Sequence, residues 1–210
     1  VLAYATAMVF NGLLLAYGLS SGGSDWQEIR VRRVDSGDDL EDHLGWIKFS
    51  SASWTKEGRG FFYSRYPEPG ENALITANRD QRVYYHRLGT PQSPDVLVYE
   101  RPDEKKWGFG TEITEAGDFL LLSLWKGTGN QQLVFYQKLG KTAGKARKGR
   151  KGGPGVTAPA FRPPVSEWKA AFELVTVGQG QQVIIGGGGS VDRQHPKVRD
   201  AAALARRLVD

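Results

Sequence analysis

The sequence predicts an all-β chain arranged as consecutive blades of a propeller, and three observations carry that prediction. First, a glycine followed by an apolar strand recurs at Gly12–Gly18, Gly58–Ser64 and Gly117–Ser123, at offsets of 46 and 59 residues. Recurrence on that scale, with several strands per unit, is the mark of propeller blades rather than of a simple sandwich. Second, valine, isoleucine, leucine and the 23 aromatic residues cluster in short runs separated by glycine, proline, serine and aspartate. That pattern favours strands over helices. Third, 210 residues suffice for one all-β domain with its own core.

In the first unit, Asn11-Gly12 is a strong short hairpin signal, and Leu13–Tyr17 follows as an apolar strand. After the turn at Ser20–Asp25, Trp26–Val34 alternates. Trp26, Glu28, Arg30 and Arg32 share one face, while Gln27, Ile29, Val31 and Arg33 share the other. A turn is predicted at Asp35–Asp39 and a further strand at Gly45–Ser50.

The second unit starts at Ala52-Ser53-Trp54, turns at Lys56-Glu57-Gly58 and continues through Phe61–Ser64. A polar insertion, Pro67–Asp80, accounts for the longer second offset before the strands Arg82–Leu88 and Asp95–Glu100. The third unit repeats the order with Phe109–Thr114, Phe119–Leu124 and Gln132–Leu139. Phe161–Val177 is placed as the opening of a fourth unit. The segment 179–210 differs in character: a glycine-rich linker at Gly186–Ser190 precedes Pro196–Val209, whose apolar residues fall on one helical face. The reading is a partial propeller over 1–178 and an atypical linker and helical tail over 179–210, consistent with a truncated chain or a shifted frame.

Composition narrows the function. The chain has no cysteine, which excludes disulfides and thiolate metal sites and fits a reducing, cytoplasmic setting. Its net charge is +5, but Lys141–Lys151 alone carries six positive charges, leaving −1 elsewhere. No aromatic residues are interleaved with that tract, so it reads as a solvated loop rather than a nucleic-acid surface. Residues 1–20 have no charged side chain, yet Asn11-Gly12 interrupts them and no basic flank precedes them, which argues against a membrane span. His43, His86 and His195 are placed in a turn, a strand and the atypical tail and lack ligand spacing, so no metal or general base is expected of them. His86 is expected to face solvent or a neighbouring strand.

Leu15–Trp26, Trp54–Pro67, Val83–Ser93 and Leu120–Gly127 together resemble the amino-terminal propeller of the prolyl oligopeptidase family of serine peptidases. The resemblance covers about residues 10 to 140. It implies about three to four blades of a seven-bladed ring. In that family the propeller covers the active site of an α/β-hydrolase domain, which carries a serine, aspartate and histidine triad and cuts short peptides after proline. The family needs no cofactor. This chain holds no hydrolase domain, so the catalytic domain and a short peptide are the implied partners and no catalytic residue is assigned.

Gly18-Leu19-Ser20-Ser21-Gly22 matches a nucleophile elbow literally, but a turn and a strand follow it where an elbow requires a helix. By alignment with the family, Phe49 corresponds to a phenylalanine that lines the substrate pocket across the domain interface. Trp125 and Thr128 correspond to positions near the same pocket. Core packing between blades is the competing reading for Phe49, and Trp125 stands where arginine can occur in the family. Asp25 is read as a turn residue. The alternative function, from another class, is a stand-alone interaction module built on propeller-like sheets.

Overall fold

The computed structural model describes residues 5–10, 12–20, 24–68, 78–127, 132–139, 172–177 and 182–187. Every regular element among them is a strand. β1 (Ala5–Phe10), β2 (Leu14–Ser20), β3 (Gln27–Arg33) and β4 (Asp39–Ile47) form one antiparallel meander, blade 1. β5 (Ser53–Trp54), β6 (Gly60–Arg65), β7 (Arg82–Arg87) and β8 (Val96–Tyr99) form blade 2. β9 (Trp107–Ile113), β10 (Phe119–Lys126) and β11 (Gln132–Lys138) form blade 3. β12 (Phe172–Val177) and β13 (Gln182–Gly187) make a separate hairpin.

The recurring glycine now has a physical cause. Gly12, Gly58 and Gly117 have φ of 69°, 62° and 77°, a left-handed conformation that side chains resist. Each lies in the tight turn leading into the second strand of its blade. The sequence repeat therefore marks β2, β6 and β10.

Blade 2 is buried on both faces. Phe61 and Tyr63 of β6 point into a cluster with Ala16, Ile29, Val31, Leu44 and Ile47 of blade 1. Phe62, one residue between them, points the other way, into a cluster with Phe109, Leu120, Leu122 and Leu124 of blade 3. Alternation along a strand sends successive side chains to opposite faces, so one strand closes two sheet interfaces. Hydrogen bonds reinforce the second interface: Ser64 Oγ donates to Phe109 O at 2.7 Å and Ser53 Oγ to Thr111 O at 2.6 Å.

Four expectations change. β4 begins at Asp39, inside the turn expected at Asp35–Asp39, because the chain reverses within Arg33–Asp38, closed by Gly37 N–H to Arg33 O at 3.0 Å. β4 also ends at Ile47, so Lys48–Ser50 is a connection and not strand. His43 lies in β4 rather than a turn, its ring 2.8 Å from Glu28. Residues Gln182–Gly187, placed in the atypical segment, form a strand paired antiparallel with β12. The predicted helix at Pro196–Val209, the basic tract and most of the Pro67–Asp80 insertion lie outside the described residues. No helix among the described residues is long and apolar enough to cross a membrane.

Candidate functional site

Because the second strand of each blade starts from an equivalent turn, the three blades present equivalent ends. One rim holds the turns of Gly58 and Gly117, adjacent enough that a Cβ on Gly117 would stand 2.6 Å from Lys56 Cβ. The opposite rim holds Ser24–Trp26, the β4–β5 connection Lys48–Ala52, Tyr66–Glu68, Asn78–Gln81, the β8–β9 connection Glu100–Lys106 and the end of β10. Phe49 and Trp125 both belong to this second rim. Thr128, in the β10–β11 connection, lies outside the described residues.

An aromatic patch forms on that rim beside Phe49. The Trp26 ring meets Trp46 edge-on at 6.1 Å and Tyr66 at 5.8 Å, and Lys48 Nζ stands 4.2 Å from the centre of the Trp26 ring. Trp46 has a φ of 61°, in the bulge where β3–β4 pairing jumps from Gln27–Ile47 to Ile29–Leu44. Its carbonyl accepts a hydrogen bond from Tyr66 N–H at 3.0 Å, which joins blade 1 to blade 2. Burial pushes the Tyr66 hydroxyl up to about 12.

Phe49 is presented by this frame. Its φ is 53° and its side chain is 58% exposed, two costs that an ordinary surface turn would avoid. The flanking residues are held on both sides: the Lys48 carbonyl accepts from Gln81 Nε2 at 3.0 Å, and the Ser50 side-chain Oγ accepts from Ser64 N–H at 2.7 Å. The core reading of Phe49 therefore fails on exposure.

Trp125 sits differently. Its indole lies over Gly108 and Gly110 of β9, on the face of blade 3 away from blade 2. A Cβ at Gly108 would fall inside the indole, so the glycine makes room for the ring. Asp25 is exposed at a bend where Trp26 N–H donates to Ser24 Oγ at 3.1 Å. Ser20 ends β2 opposite Gln27 of β3, and neither His43 nor His86 bonds to a serine among the described residues.

Of the two surroundings expected for His86, solvent or a neighbouring strand, the structure gives the second. His86 is fully buried between blades 1 and 2, with Nε2 2.9 Å from Asp42 Oδ1 and Nδ1 2.9 Å from Asp95 Oδ1. With both carboxylates ionised each can only accept, so both ring nitrogens donate and the ring is an imidazolium. Burial alone would push its pKa down, but the hydrogen bonds to Asp42 and Asp95 outweigh burial and lift it to about 9.

The network extends further. Asp42 Oδ1 also accepts from Gly89 N–H at 2.7 Å, and Tyr63 donates its hydroxyl hydrogen to Asp95 Oδ2 at 2.6 Å. Gln92 donates to Tyr63 Oη and to Gly45 O, both at 3.1 Å, and accepts from Gly45 N–H at 3.0 Å. Burial, then Asp95, raises the Tyr63 hydroxyl well above its ordinary range. One buried cation thus fastens β4 to β7 and to the turn before β8. Its role is structural, because no open surface reaches it.

Comparison with known proteins follows the same architecture. The family model described as "Prolyl oligopeptidase, N-terminal beta-propeller domain" matches residues 5–178. Prolyl oligopeptidase A of Amanita bisporigera is 42% identical over 147 residues, covering 62% of this chain and 19% of that protein. The dual function macrocyclase-peptidase of Galerina marginata is 30% identical over 177 residues, covering 79% of this chain and 23% of that protein. Among solved structures, prolyl oligopeptidase B of Galerina marginata bound to a 25mer macrocyclization substrate superposes with a TM-score of 0.73 at 28% identity, covering 87% of this chain and 26% of that one. The chain spans about a fifth to a quarter of the length of these relatives. With blades, repeat and family model in agreement over most of its length, the chain belongs to the prolyl oligopeptidase amino-terminal β-propeller family.

Proposed function

We propose that this chain is the substrate-gating part of a prolyl oligopeptidase-like serine endopeptidase that hydrolyses short proline-containing peptides. It supplies part of the wall and entrance of the peptide pocket and no bond-breaking group. The partner is an α/β-hydrolase domain seated on the rim that carries Phe49, with Trp125 and Thr128 contributing from blade 3. The observation that carries this reading is Phe49, an aromatic side chain held exposed in a left-handed turn by its neighbours. Exposure and strain at one residue are costs that a binding role offsets. Hydrolysis is proposed over ring closure, although relatives include a dual function macrocyclase-peptidase. The absence of cysteine fits a cytoplasmic enzyme. Neither nucleic acid nor a membrane is required as a partner.

The test has two arms. The purified chain should show no turnover of a Gly-Pro-anilide substrate, because no serine among the described residues has a base beside it. Exchanging residues 5–139 for the matching segment of the Amanita bisporigera enzyme should leave that enzyme able to cleave a proline-containing peptide. Turnover by the chain alone, lost on Ser20→Ala, would overturn the first arm. An intact, folded exchange enzyme without activity would overturn the second.

A further inference from the structure

Gln81 is a buried amide, 2% exposed, at the point where the insertion after β6 re-enters blade 2. Its side chain reaches two other parts of the molecule at once. Nε2 donates to Lys48 O at 3.0 Å, and Oε1 accepts from Phe109 N–H at 2.6 Å. The first partner is the peptide group entering Phe49, and the second lies in β9 of blade 3. One amide therefore ties the connection between blades 1 and 2 to the first strand of blade 3.

The strained residues gather around this amide. Phe49 has a φ of 53° and Asp80, the neighbour of Gln81, a φ of 60°. Asp80 N–H donates to Lys105 O at 2.7 Å, so the backbone beside Gln81 is itself anchored to the β8–β9 connection. A left-handed phenylalanine relaxes toward an ordinary turn unless its flanking peptides are held. Ser64 N–H holds Ser50 Oγ on one side, and Gln81 holds Lys48 O on the other. Simple space-filling would not select Gln81, since a methionine fills the same volume with neither bond.

We infer that Gln81 is a positioning residue: it fixes the exposed Phe49 and sets its place relative to blade 3, so displacement of blade 3 against blade 1 moves the aromatic ring. This rests on the reading of Phe49 as a peptide-facing side chain. Gln81 touches no reacting atom. It acts through the peptide group between Lys48 and Phe49.

The experiment is nuclear magnetic resonance on the whole 210-residue chain and two variants. A positive φ brings the amide hydrogen of Phe49 close to its own Hα, giving a strong intraresidue Overhauser effect. The unsubstituted chain should show that effect, together with slowly exchanging Gln81 side-chain amide protons. Gln81→Glu keeps an acceptor for Phe109 N–H but sets a carboxylate oxygen against Lys48 O. It should lose the Phe49 effect while Phe109 keeps its amide protection. Gln81→Met should lose both, with Phe109 exchanging roughly tenfold faster, as expected for the loss of one hydrogen bond.

Persistence of the Phe49 effect in both variants would overturn the proposal. Should both variants unfold, the unsubstituted chain decides: rapidly exchanging Gln81 amide protons overturn it, and slow exchange with the Phe49 effect supports it. Phe49→Ala in the exchange enzyme separates the two readings. Unchanged KM there, with the resonance results as expected, removes the peptide-facing role and leaves the positioning role standing.

Discussion

At the residue scale the fold spends conformational strain and buried charge at particular points. Phe49 spends strain, and glycine is the residue that tolerates its φ of 53° best. Phe49→Gly should therefore be more stable than Phe49→Ala by about 1 kcal/mol, read from urea denaturation midpoints. An alanine variant at least as stable as the glycine variant would contradict a strained turn. His86 spends charge, and its raised pKa makes stability depend on pH. Its contribution is full below the unfolded value near 6.5 and is lost as pH rises through about 9. The stability difference between the chain and His86→Gln should thus be constant near pH 6 and shrink between pH 7 and 10, measured by denaturant unfolding at each pH. A difference that grows with pH would show that the ring is buried neutral.

The sequence could not reveal that histidine's role. Alternation sets His86 on the face opposite Val83 and Tyr85, and a strand with one wet face would leave it in solvent. Blade 2 has neither face wet, and Asp42, its partner, is 44 residues away in another blade. Phe49 was legible as an aligned position, but its left-handed conformation and exposure were not. Those follow from Gln81 and Ser64, which contact its connection across 33 and 14 residues.

At the element scale β6 holds the three blades together. Phe61 and Phe62 are both fully buried, on opposite faces of one strand. Phe61→Ala and Phe62→Ala should each cost about 3–5 kcal/mol, one opening the interface to blade 1 and the other to blade 3. Amide exchange should then rise first in β2–β4 for Phe61→Ala and in β9–β11 for Phe62→Ala; the same pattern for both would contradict two separate interfaces. On β9 and β10, Gly108→Ala should destabilise by about 1–3 kcal/mol because the new methyl collides with the Trp125 indole. Adding Trp125→Ala should recover part of that loss, a coupling read from the double-mutant cycle.

Element legibility followed local chemistry. The repeat located β2, β6 and β10 because each follows a left-handed glycine, and a glycine requirement is visible in one sequence. The bounds of β4 were missed because its bulge at Gly45-Trp46 and its early start at Asp39 depend on pairing with β3 rather than on its own residues.

At the scale of the whole molecule, the blades stack so that one rim gathers connections from all three sheets, while buried polar groups stitch neighbouring blades together, His86 and Gln92 away from that rim and Gln81 at its edge. His86 and Gln92 join blades 1 and 2, and Gln81 joins the blade 1–2 connection to blade 3. That division is what the proposed gating role requires: packed sheets carrying a few exposed side chains on one rim. The chain covers 19% of the Amanita bisporigera relative, so a bond-cleaving partner belongs to the proposal.

The most direct measurement is kcat/KM for a short proline-containing peptide in the exchange enzyme carrying residues 5–139, with Phe49 and with Phe49→Ala. The account predicts a loss of about tenfold, expressed mainly in KM, with the melting temperature unchanged. Equal kcat/KM for the two folded enzymes would contradict it.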